Sequence, residues 1–278
     1  MTKTWLIVNE ASGSYDAAVI ADIVTWFAQS DQPVDCIVRC PDEDLPDPGK
    51  LVANGVDLLA IYAGDGTTNS ALKTASGWDG AVLILPGGTM NLLARALHGE
   101  QSCQSIIGEA ARNRRTVQLN TVEIGESTAY VGVIAGPTTS LAQVRENARH
   151  ARLSELVLEA IPAAISDSLA GPQVGIKGHD DRFPAIFAAP RDDSMALCGF
   201  TASTIGEVLS HAGAWLNGDF RDGPRVDLGS ASTATLVSEA DEIGLLIDGE
   251  QAKAVPGDVL RLARAPHHFV ETRPSAAP

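Results

Sequence analysis

The chain has 278 residues, a length that can bury a large core and that favours two domains over one. Its formal net charge is -15, and no dense run of Lys and Arg offsets that charge locally. Nucleic acid is therefore excluded as the main partner, and broad adhesion to an anionic membrane is disfavoured, because both depend on clustered cations.

The start of the chain and its cysteines indicate the cellular compartment. Residues 1–13 lack the charged and long apolar regions of a secretory signal, and no stretch reaches the roughly 20 apolar residues that cross a bilayer. The four cysteines form no C-x-x-C pair, and the six histidines show no metal-ligand spacing. We therefore expect a cytoplasmic protein with reduced thiols rather than disulfides or a zinc site.

Strand and helix signals alternate over the first part of the chain. Short apolar runs predict strands at 4–8, 34–39, 56–62 and 81–86. Helical spacing of apolar residues predicts a helix between 14 and 29, and another helix begins at residue 92. Strands that are apolar throughout are buried on both faces, so we expect a parallel sheet covered by helices.

The pattern changes near residue 115. A hairpin is predicted around residues 125–127, and short alternating runs return from about residue 172. Helical signals interrupt this part at 141–169 and at 205–216. We therefore predict an α/β domain at 1–115, then a mainly β-sandwich domain with helical insertions at 116–278 that ends in a disordered tail.

Three polar or glycine-containing loops follow three of the predicted strands. They lie at residues 9–13, 64–67 and 86–89. The carboxyl ends of parallel strands form the crevice where α/β proteins bind ligands. Glycine lets an anion approach the backbone amides, and a following helix directs its positive end at the same point. Each loop alone is more often a plain turn, but the three together favour a nucleotide site.

The position of Asp65 indicates that a cation binds together with the nucleotide. A carboxylate beside bound phosphates is repulsive unless a divalent cation lies between them, so Asp65 predicts magnesium, held through water. Taken alone, Gly-Asp-Gly is more often a turn. The polar side chains of Thr67, Thr89 and Asn91 could likewise serve either of two roles. Each can cap the next helix or contact the ligand.

Together these residues resemble the diacylglycerol kinase catalytic-domain family, which includes soluble bacterial lipid kinases and the sphingosine and ceramide kinases. The resemblance is carried by four motifs, in the family's order. They are Asn9-Glu10-Ala11-Ser12-Gly13, Ala63-Gly64-Asp65-Gly66-Thr67-Thr68-Asn69-Ser70, Pro86-Gly87-Gly88-Thr89-Met90-Asn91-Leu92-Leu93-Ala94-Arg95 and Asp248-Gly249-Glu250.

The resemblance implies an α/β nucleotide-binding domain, similar to those of phosphofructokinases and NAD kinases, followed by a β-sandwich. It implies ATP and magnesium as cofactors and a lipid or lipid-like alcohol as substrate. The residues implied to contact ATP are Asn9, Ser12, Gly13, Cys40, Gly64, Asp65, Gly66, Thr67, Thr68, Asn69, Ser70, Gly88, Thr89 and Asn91.

The resemblance also implies catalytic and metal residues. Glu250 matches the family's proton acceptor for the lipid hydroxyl. The implied catalytic residues also include Asp248 and Asp65. Asp65 belongs to the magnesium network, and Asp193 matches a second, structural magnesium site built partly from main-chain carbonyls. From the residues alone, Asp248-Gly249 is also a strong two-residue hairpin signal, so both readings stay open.

Four positions depart from the family pattern. Ala63 replaces a glycine, Glu10 stands where proline is frequent, and Ser70 and Leu92 replace carboxylates expected near the metal. As a result, we expect magnesium to be held more weakly or by other groups. A catalytically impaired relative that binds nucleotide or lipid without transfer is therefore the alternative. An NAD kinase is a third hypothesis, although the chain lacks that family's second Asn-Glu segment.

Basic residues supply the remaining hypotheses about partners. A predicted helix carries Arg145, Arg149, His150 and Arg152, which could touch a membrane surface transiently, although a solvated helix face is the more frequent case. The same choice applies to the arginines at 112, 114 and 115, where a solvated helix end is favoured. The sequence leaves a homodimer open.

Overall fold

The structure is a computed structural model that describes residues 2–13, 15–136, 172–200 and 225–273. The chain divides into two compact units. The first comprises Met1–Leu119 with Arg264–Pro278, and the second comprises Asn120–Ala263.

Helices and strands alternate in the first unit. In chain order they are β1 Thr4–Asn9, α1 Ala17–Gln29, β2 Val34–Cys40, α2 Pro48–Ala53, β3 Leu58–Ala63, α3 Asp65–Thr74, β4 Ala81–Pro86, α4 Leu92–His98, α5 Cys103–Arg112 and β5 Arg115–Val117.

The described part of the second unit consists of strands. They are β6 Asn120–Ile124, β7 Ser127–Ala129, β8 Val133–Ala135, β9 Val174–Ile176, β10 Ala185–Pro190, β11 Met195–Phe200, β12 Arg225–Ala231, β13 Thr233–Ser238, β14 Ile243–Ile247, β15 Glu250–Ala254 and β16 Val259–Arg264. The last strand, β17 His268–Glu271, returns to the first unit.

The first unit is built on one six-stranded sheet in the order β2-β1-β3-β4-β17-β5. Strands β1 to β4 are parallel, as their apolar sequences predict. Helix α1 begins where the Asp16 carboxylate accepts a hydrogen bond from the Ala18 amide, and it buries Ile20, Ile23 and Phe27. These three residues share one helical face, and they join the core that covers one side of the sheet.

The second unit contains two sheets, in the orders β12-β11-β10-β8-β14-β15 and β7-β6-β16-β13-β9. One apolar cluster takes residues from both sheets, for example Val122 and Leu236 from the second and Ile186 and Leu245 from the first. The described strands therefore form the predicted sandwich. The predicted helical insertions at 141–169 and 205–216 lie outside the described residues.

The C-terminal strand corrects the predicted domain boundary. We predicted a second domain from residue 116 to the end, but β17 inserts between β4 and β5 and belongs to the first unit. Phe269 and Val270 are fully buried there. The Ala265 amide donates to the Leu119 carbonyl, so the chain leaves and re-enters this unit at adjacent points. The sequence of a short apolar strand does not specify which sheet it joins.

None of the helices in the described ranges has the length and apolar character needed to span a membrane.

Candidate functional site

The turns after β3 and β4 lie against each other. These strands are parallel neighbours, paired up to Ala63 and Pro86. A Cβ atom added at Gly88 would lie 2.6 Å from the Cα of Gly64, and one added at Gly87 would lie 2.6 Å from the Ala63 nitrogen. Only glycine fits such backbone contacts. The two glycine turns predicted from the sequence therefore form one continuous surface.

Asp65 bonds the second turn directly. Its Oδ2 accepts a hydrogen bond of 3.0 Å from the Asn91 amide, and its Oδ1 accepts one of 2.8 Å from the Leu92 amide. These amides begin α4, so the carboxylate lies at the positive end of that helix. Burial raises the pKa of Asp65, and the backbone hydrogen bonds oppose that change. Sequence reasoning missed this contact.

Asn91 closes the second turn through its own side chain. Its Oδ1 accepts a hydrogen bond of 2.6 Å from the Gly88 amide, and its Nδ2 donates one of 2.8 Å to the Gly88 carbonyl. The backbone of Asn91 is left-handed, with φ 52° and ψ 44°, a conformation that Asn tolerates better than most residues. The side chain therefore shapes the turn and does not cap α4.

Asn9 brings the first loop to the same surface. Its Nδ2 donates a hydrogen bond of 2.7 Å to Thr67 Oγ1, in the first turn of α3. Its Oδ1 accepts one of 3.0 Å from the Ala11 amide, which folds the loop after β1. Ser12 is half-buried, whereas Gly13 is exposed, and a Cβ atom added to Gly13 would meet no atom beyond its chain neighbours within 4 Å. The three predicted loops therefore meet at the carboxyl ends of β1, β3 and β4.

Cys40 lies beside the first loop, at the end of β2. Its Cα pairs with that of Asn9, and its carbonyl accepts a hydrogen bond from the Glu10 amide. The thiol is buried, and burial raises its pKa, so at neutral pH it remains a protonated, weakly polar group.

The charge of Glu10 is balanced locally. Its Oε1 lies 3.2 Å from Arg39 Nε and accepts a hydrogen bond of 3.1 Å from the Tyr15 hydroxyl. The sequence indicated an added negative charge near the first loop, but Arg39 on β2 supplies the opposite charge. Glu10 directly follows β1, and Arg39 lies on the adjacent parallel strand β2. The pair therefore joins two segments that are distant in the sequence.

The remaining predicted residues of α3 and the second turn differ in exposure. Thr68 is buried and packs inside the unit, Asn69 is half-buried, and Thr89 is exposed on the turn. Ser70 is exposed, and its hydroxyl donates to the Gly66 carbonyl at 3.0 Å. Leu92 is fully buried. Neither Ser70 nor Leu92 therefore offers a substitute for the carboxylates expected at these positions.

The described residues do not form a metal site by themselves. They contain no cluster of three or more His, Cys, Asp or Glu side chains that could hold an ion. Both oxygens of Asp65 already accept backbone hydrogen bonds. Magnesium is usually bound by one or two carboxylates together with water and substrate phosphates. The residues fit magnesium only as an ion that a phosphate ligand brings with it.

In the second unit, Asp248 and Gly249 form the tight hairpin turn between β14 and β15. Both have positive φ angles, 48° and 87°, as a two-residue type I′ turn requires. Asp248 is 3% exposed, and its carboxylate accepts hydrogen bonds of 2.7 to 2.9 Å from the amides of Tyr130, Val131 and Gly132. These contacts favour a structural role for Asp248.

Glu250 begins β15 with an exposed side chain. Its Cα pairs with that of Ile247 across the hairpin, directly after the two turn residues. The turn therefore sets the direction of this carboxylate, and its predicted catalytic role stays a prediction.

Asp193 is exposed in the turn between β10 and β11. The neighbouring main-chain carbonyls of Arg191 and Asp192 accept hydrogen bonds of 2.8 and 2.6 Å from Asn120 Nδ2. The predicted structural magnesium would need carbonyls of this turn, and an amide group already occupies two of them. Its role at Asp193 stays a prediction.

The basic residues at the end of α5 make contacts within the unit. Arg112 pairs with Glu109, Arg114 donates to the Gln32 side chain, and Arg115 pairs with Glu271. These contacts are typical of basic residues at a helix end and on a strand that pack within the first unit. The predicted basic group at Arg145, Arg149, His150 and Arg152 lies outside the described residues.

Comparison with known proteins supports the resemblance. Residues 3–124 match the family model described as the diacylglycerol kinase catalytic domain. No curated protein matches the chain. The resemblance drawn from the loop motifs is therefore confirmed for this part of the chain.

Solved structures from Bacillus anthracis str. Sterne share the fold. One, described as a "putative diacylglycerol kinase", has a TM-score of 0.65 and 18% identity, and the match covers 99% of this chain and 98% of that chain. Another, described as a diacylglycerol kinase, has a TM-score of 0.63, 15% identity and the same coverage. At these identities the match shows the fold alone, an α/β domain followed by a sheet-rich region.

Proposed function

We propose, from the match of residues 3–124 to the diacylglycerol kinase catalytic-domain model, that the chain is an ATP-dependent lipid kinase. It would transfer the γ-phosphate to the hydroxyl of a diacylglycerol-like or sphingoid lipid. The observation that carries the proposal is the joining of three loops into one surface, through the Gly64–Gly88 contact and the Asn9–Thr67 hydrogen bond.

The start of α3 is the best-supported phosphate site on this surface. Its N-cap residue, Gly64, has no side chain to cap the helix. The amides of the first turn of a helix have no partners within the helix, and they bind anions well. Gly66 and Thr67 lie in that turn. By contrast, the first amides of α4 are already bonded to Asp65.

Thr67 adds a donor to those amides. Its Oγ1 accepts the hydrogen bond from Asn9 Nδ2, which leaves its own hydroxyl hydrogen for a phosphate oxygen. Asp65 is the carboxylate that would hold, through water, a magnesium counter-ion of ATP, and such an ion would neutralise charge on the phosphates.

The proposed transfer needs an acceptor for one proton. The alcohol oxygen of the lipid forms a bond to the γ-phosphorus, and the bond from that phosphorus to the bridging oxygen of ADP breaks. The alcohol proton passes to the carboxylate of Glu250, and ADP leaves. Glu250 is assigned to this role because its position matches the family's acidic residue and its side chain is exposed.

A binding protein without transferase activity is the second candidate. Two observations favour it: Leu92 is fully buried where a carboxylate is expected, and the Ser70 hydroxyl donates to the Gly66 carbonyl. Such a protein would bind ATP on the same loops.

Incubation of the purified protein with labelled ATP, magnesium and a panel of lipid alcohols tests the proposal. The lipid extract is analysed by mass spectrometry for a gain of one phosphoryl group, and a nicotinamide dinucleotide serves as a non-lipid acceptor. Phosphorylated lipid supports the lipid kinase. Retained ATP binding without any product favours the binding protein, and a phosphorylated dinucleotide would contradict the lipid assignment.

A further inference from the structure

We infer that Asp65 is a positioning residue, which fixes the two glycine turns relative to each other without a metal ion. The inference rests on the proposed function, because the surface that Asp65 shapes is the proposed phosphate site. It assigns to this carboxylate a role that exists before nucleotide or magnesium binds.

The first observation is the cap that Asp65 supplies to α4. A helix normally takes its N-terminal cap from the residue that precedes it. Here that residue is Asn91, whose side chain bonds Gly88 instead. The Asp65 carboxylate, 26 and 27 residues earlier in the chain, accepts from the Asn91 and Leu92 amides in its place.

The second observation is the close backbone contact beneath this cap. Gly64 directly precedes Asp65, and a Cβ atom at Gly88 would lie 2.6 Å from the Gly64 Cα. The turns therefore touch through backbone at one point and are joined through the carboxylate at another. Two such points fix both the distance and the angle between α3 and the second turn.

The third observation concerns what else could join the turns. In this chain the neighbouring positions carry Ser70, whose hydroxyl donates to the Gly66 carbonyl, and Leu92, which is fully buried. No cluster of acidic side chains that could hold an ion occurs in the described ranges. The direct hydrogen bonds of Asp65 thus join these elements without an added ion.

The positioning role and a purely metal-linked role predict different results for Asp65→Asn. The amide keeps one oxygen acceptor but directs an N–H group towards the other backbone amide. If Asp65 positions the turns, the variant should bind ATP about tenfold or more weakly, because a hydrogen bond to a charged group is lost. This weakening should appear in EDTA as well as in excess magnesium.

Hydrogen exchange of the unliganded protein gives a readout independent of nucleotide binding. In the Asn variant the amides of residues 91 and 92 should exchange faster than in the wild type, while amides in α5 keep their rates. Asp79→Asn, at an exposed position of the same unit, is the matched control and should change neither affinity nor exchange. If the Asn variant does not fold, Asp65→Glu keeps the charge but misplaces the cap, and exchange at 91 and 92 should again rise.

The outcomes separate the inference from the function on which it rests. Unchanged exchange at residues 91 and 92, with weaker ATP binding only in magnesium, would overturn the positioning role and leave a metal-linked one. If the wild type binds no ATP, the proposed function fails. In that case, faster exchange at residues 91 and 92 in the Asn variant would still support the capping role of Asp65.

Discussion

Asn9 and Thr67 lie 58 residues apart in the chain and are joined by a hydrogen bond of 2.7 Å from Nδ2 to Oγ1. The bond ties the loop after β1 to the first turn of α3. Because Asn9 Oδ1 also accepts from the Ala11 amide, the side chain is held at both ends. Asn9 therefore fixes the threonine hydroxyl towards which we expect a phosphate to bind.

Replacement of the two partners should give non-additive losses. We expect Asn9→Ala and Thr67→Val each to weaken ATP binding about tenfold, and the double variant to be little weaker than either. Thr67→Ser keeps the hydroxyl and is the matched control, which should retain most of the affinity. Isothermal titration of the wild type, the two single variants and the double variant measures the coupling. Fully additive losses would mean that the two side chains act separately.

Glu250→Gln should reduce turnover and leave ATP binding intact. The amide retains the shape of the carboxylate but cannot accept the alcohol proton, and loss of a general base typically costs about 10²–10⁴ in rate. The measurement is the rate of phospholipid formation at saturating ATP, together with the dissociation constant of ATP.

Glu239→Gln, another exposed glutamate of the second unit, is the control for the Glu250 variant and should keep full turnover. Equal turnover of Glu250→Gln and wild type would assign the proton to a different group. A parallel loss of ATP affinity would point to a structural effect instead.

Asp248→Asn should weaken the hydrogen bonds between the β14–β15 turn and the backbone amides of residues 130–132. Asn tolerates the positive φ of the turn, so the backbone conformation is compatible with the change. The new amide group, however, leaves at least one of the buried amides at residues 130–132 without an acceptor, which costs about 1–3 kcal/mol. Hydrogen exchange at these amides should rise sharply. Unchanged exchange with a loss of turnover would instead support the catalytic role predicted for Asp248 from the sequence.

His98 should make the first unit less stable in acid. It is buried at the end of α4, with Nδ1 2.9 Å from Thr272 Oγ1, and burial lowers its pKa from 6.5 to about 4. The folded state thus favours the neutral ring, so its contribution is fully present above pH 6.5 and is lost as the pH falls towards 4. At about 1.4 kcal/mol for each pKa unit, the loss reaches about 3 kcal/mol.

Urea unfolding at several pH values checks this dependence. In His98→Asn the side chain does not titrate, so the stability difference between wild type and variant should shrink as the pH falls from 6.5 to 4. His179→Gln, at an exposed position, should follow the wild-type curve. A constant difference across this range would show that His98 does not titrate on unfolding.

The strands of the first unit and the loops that follow them could be predicted from the sequence. Continuous apolar runs such as 58–63 and 81–86 occur where a strand is buried on both faces. The glycine turns at 64–66 and 86–88 mark where these two strands end. Parallel pairing then brings the loops together by geometry. The Asp248-Gly249 hairpin was one of the two interpretations that the sequence left open, and the positive φ angles of both residues show that the hairpin forms.

The contacts between distant segments could not be predicted in this way. Local patterns do not encode which side chain reaches Asn91, so the Asp65 cap and the Glu10–Arg39 pair emerged only in the folded chain. The insertion of β17 between β4 and β5 has the same cause. A four-residue strand carries little information about its partners, and its placement depends on the edge left free by the other strands.

Titration with ATP tests the central claim, that the three loops form one phosphate-binding surface. The proteins to compare are the wild type, Gly88→Ala and, as a matched control, Gly108→Ala in α5, where the added methyl group meets only ordinary contacts. In Gly88→Ala the new Cβ would lie 2.6 Å from the Gly64 backbone, so the two turns must separate. We predict that wild type and Gly108→Ala bind ATP equally and that folded Gly88→Ala binds about tenfold or more weakly. Full ATP affinity in a folded Gly88→Ala variant, or no ATP binding by the wild type, would contradict the claim.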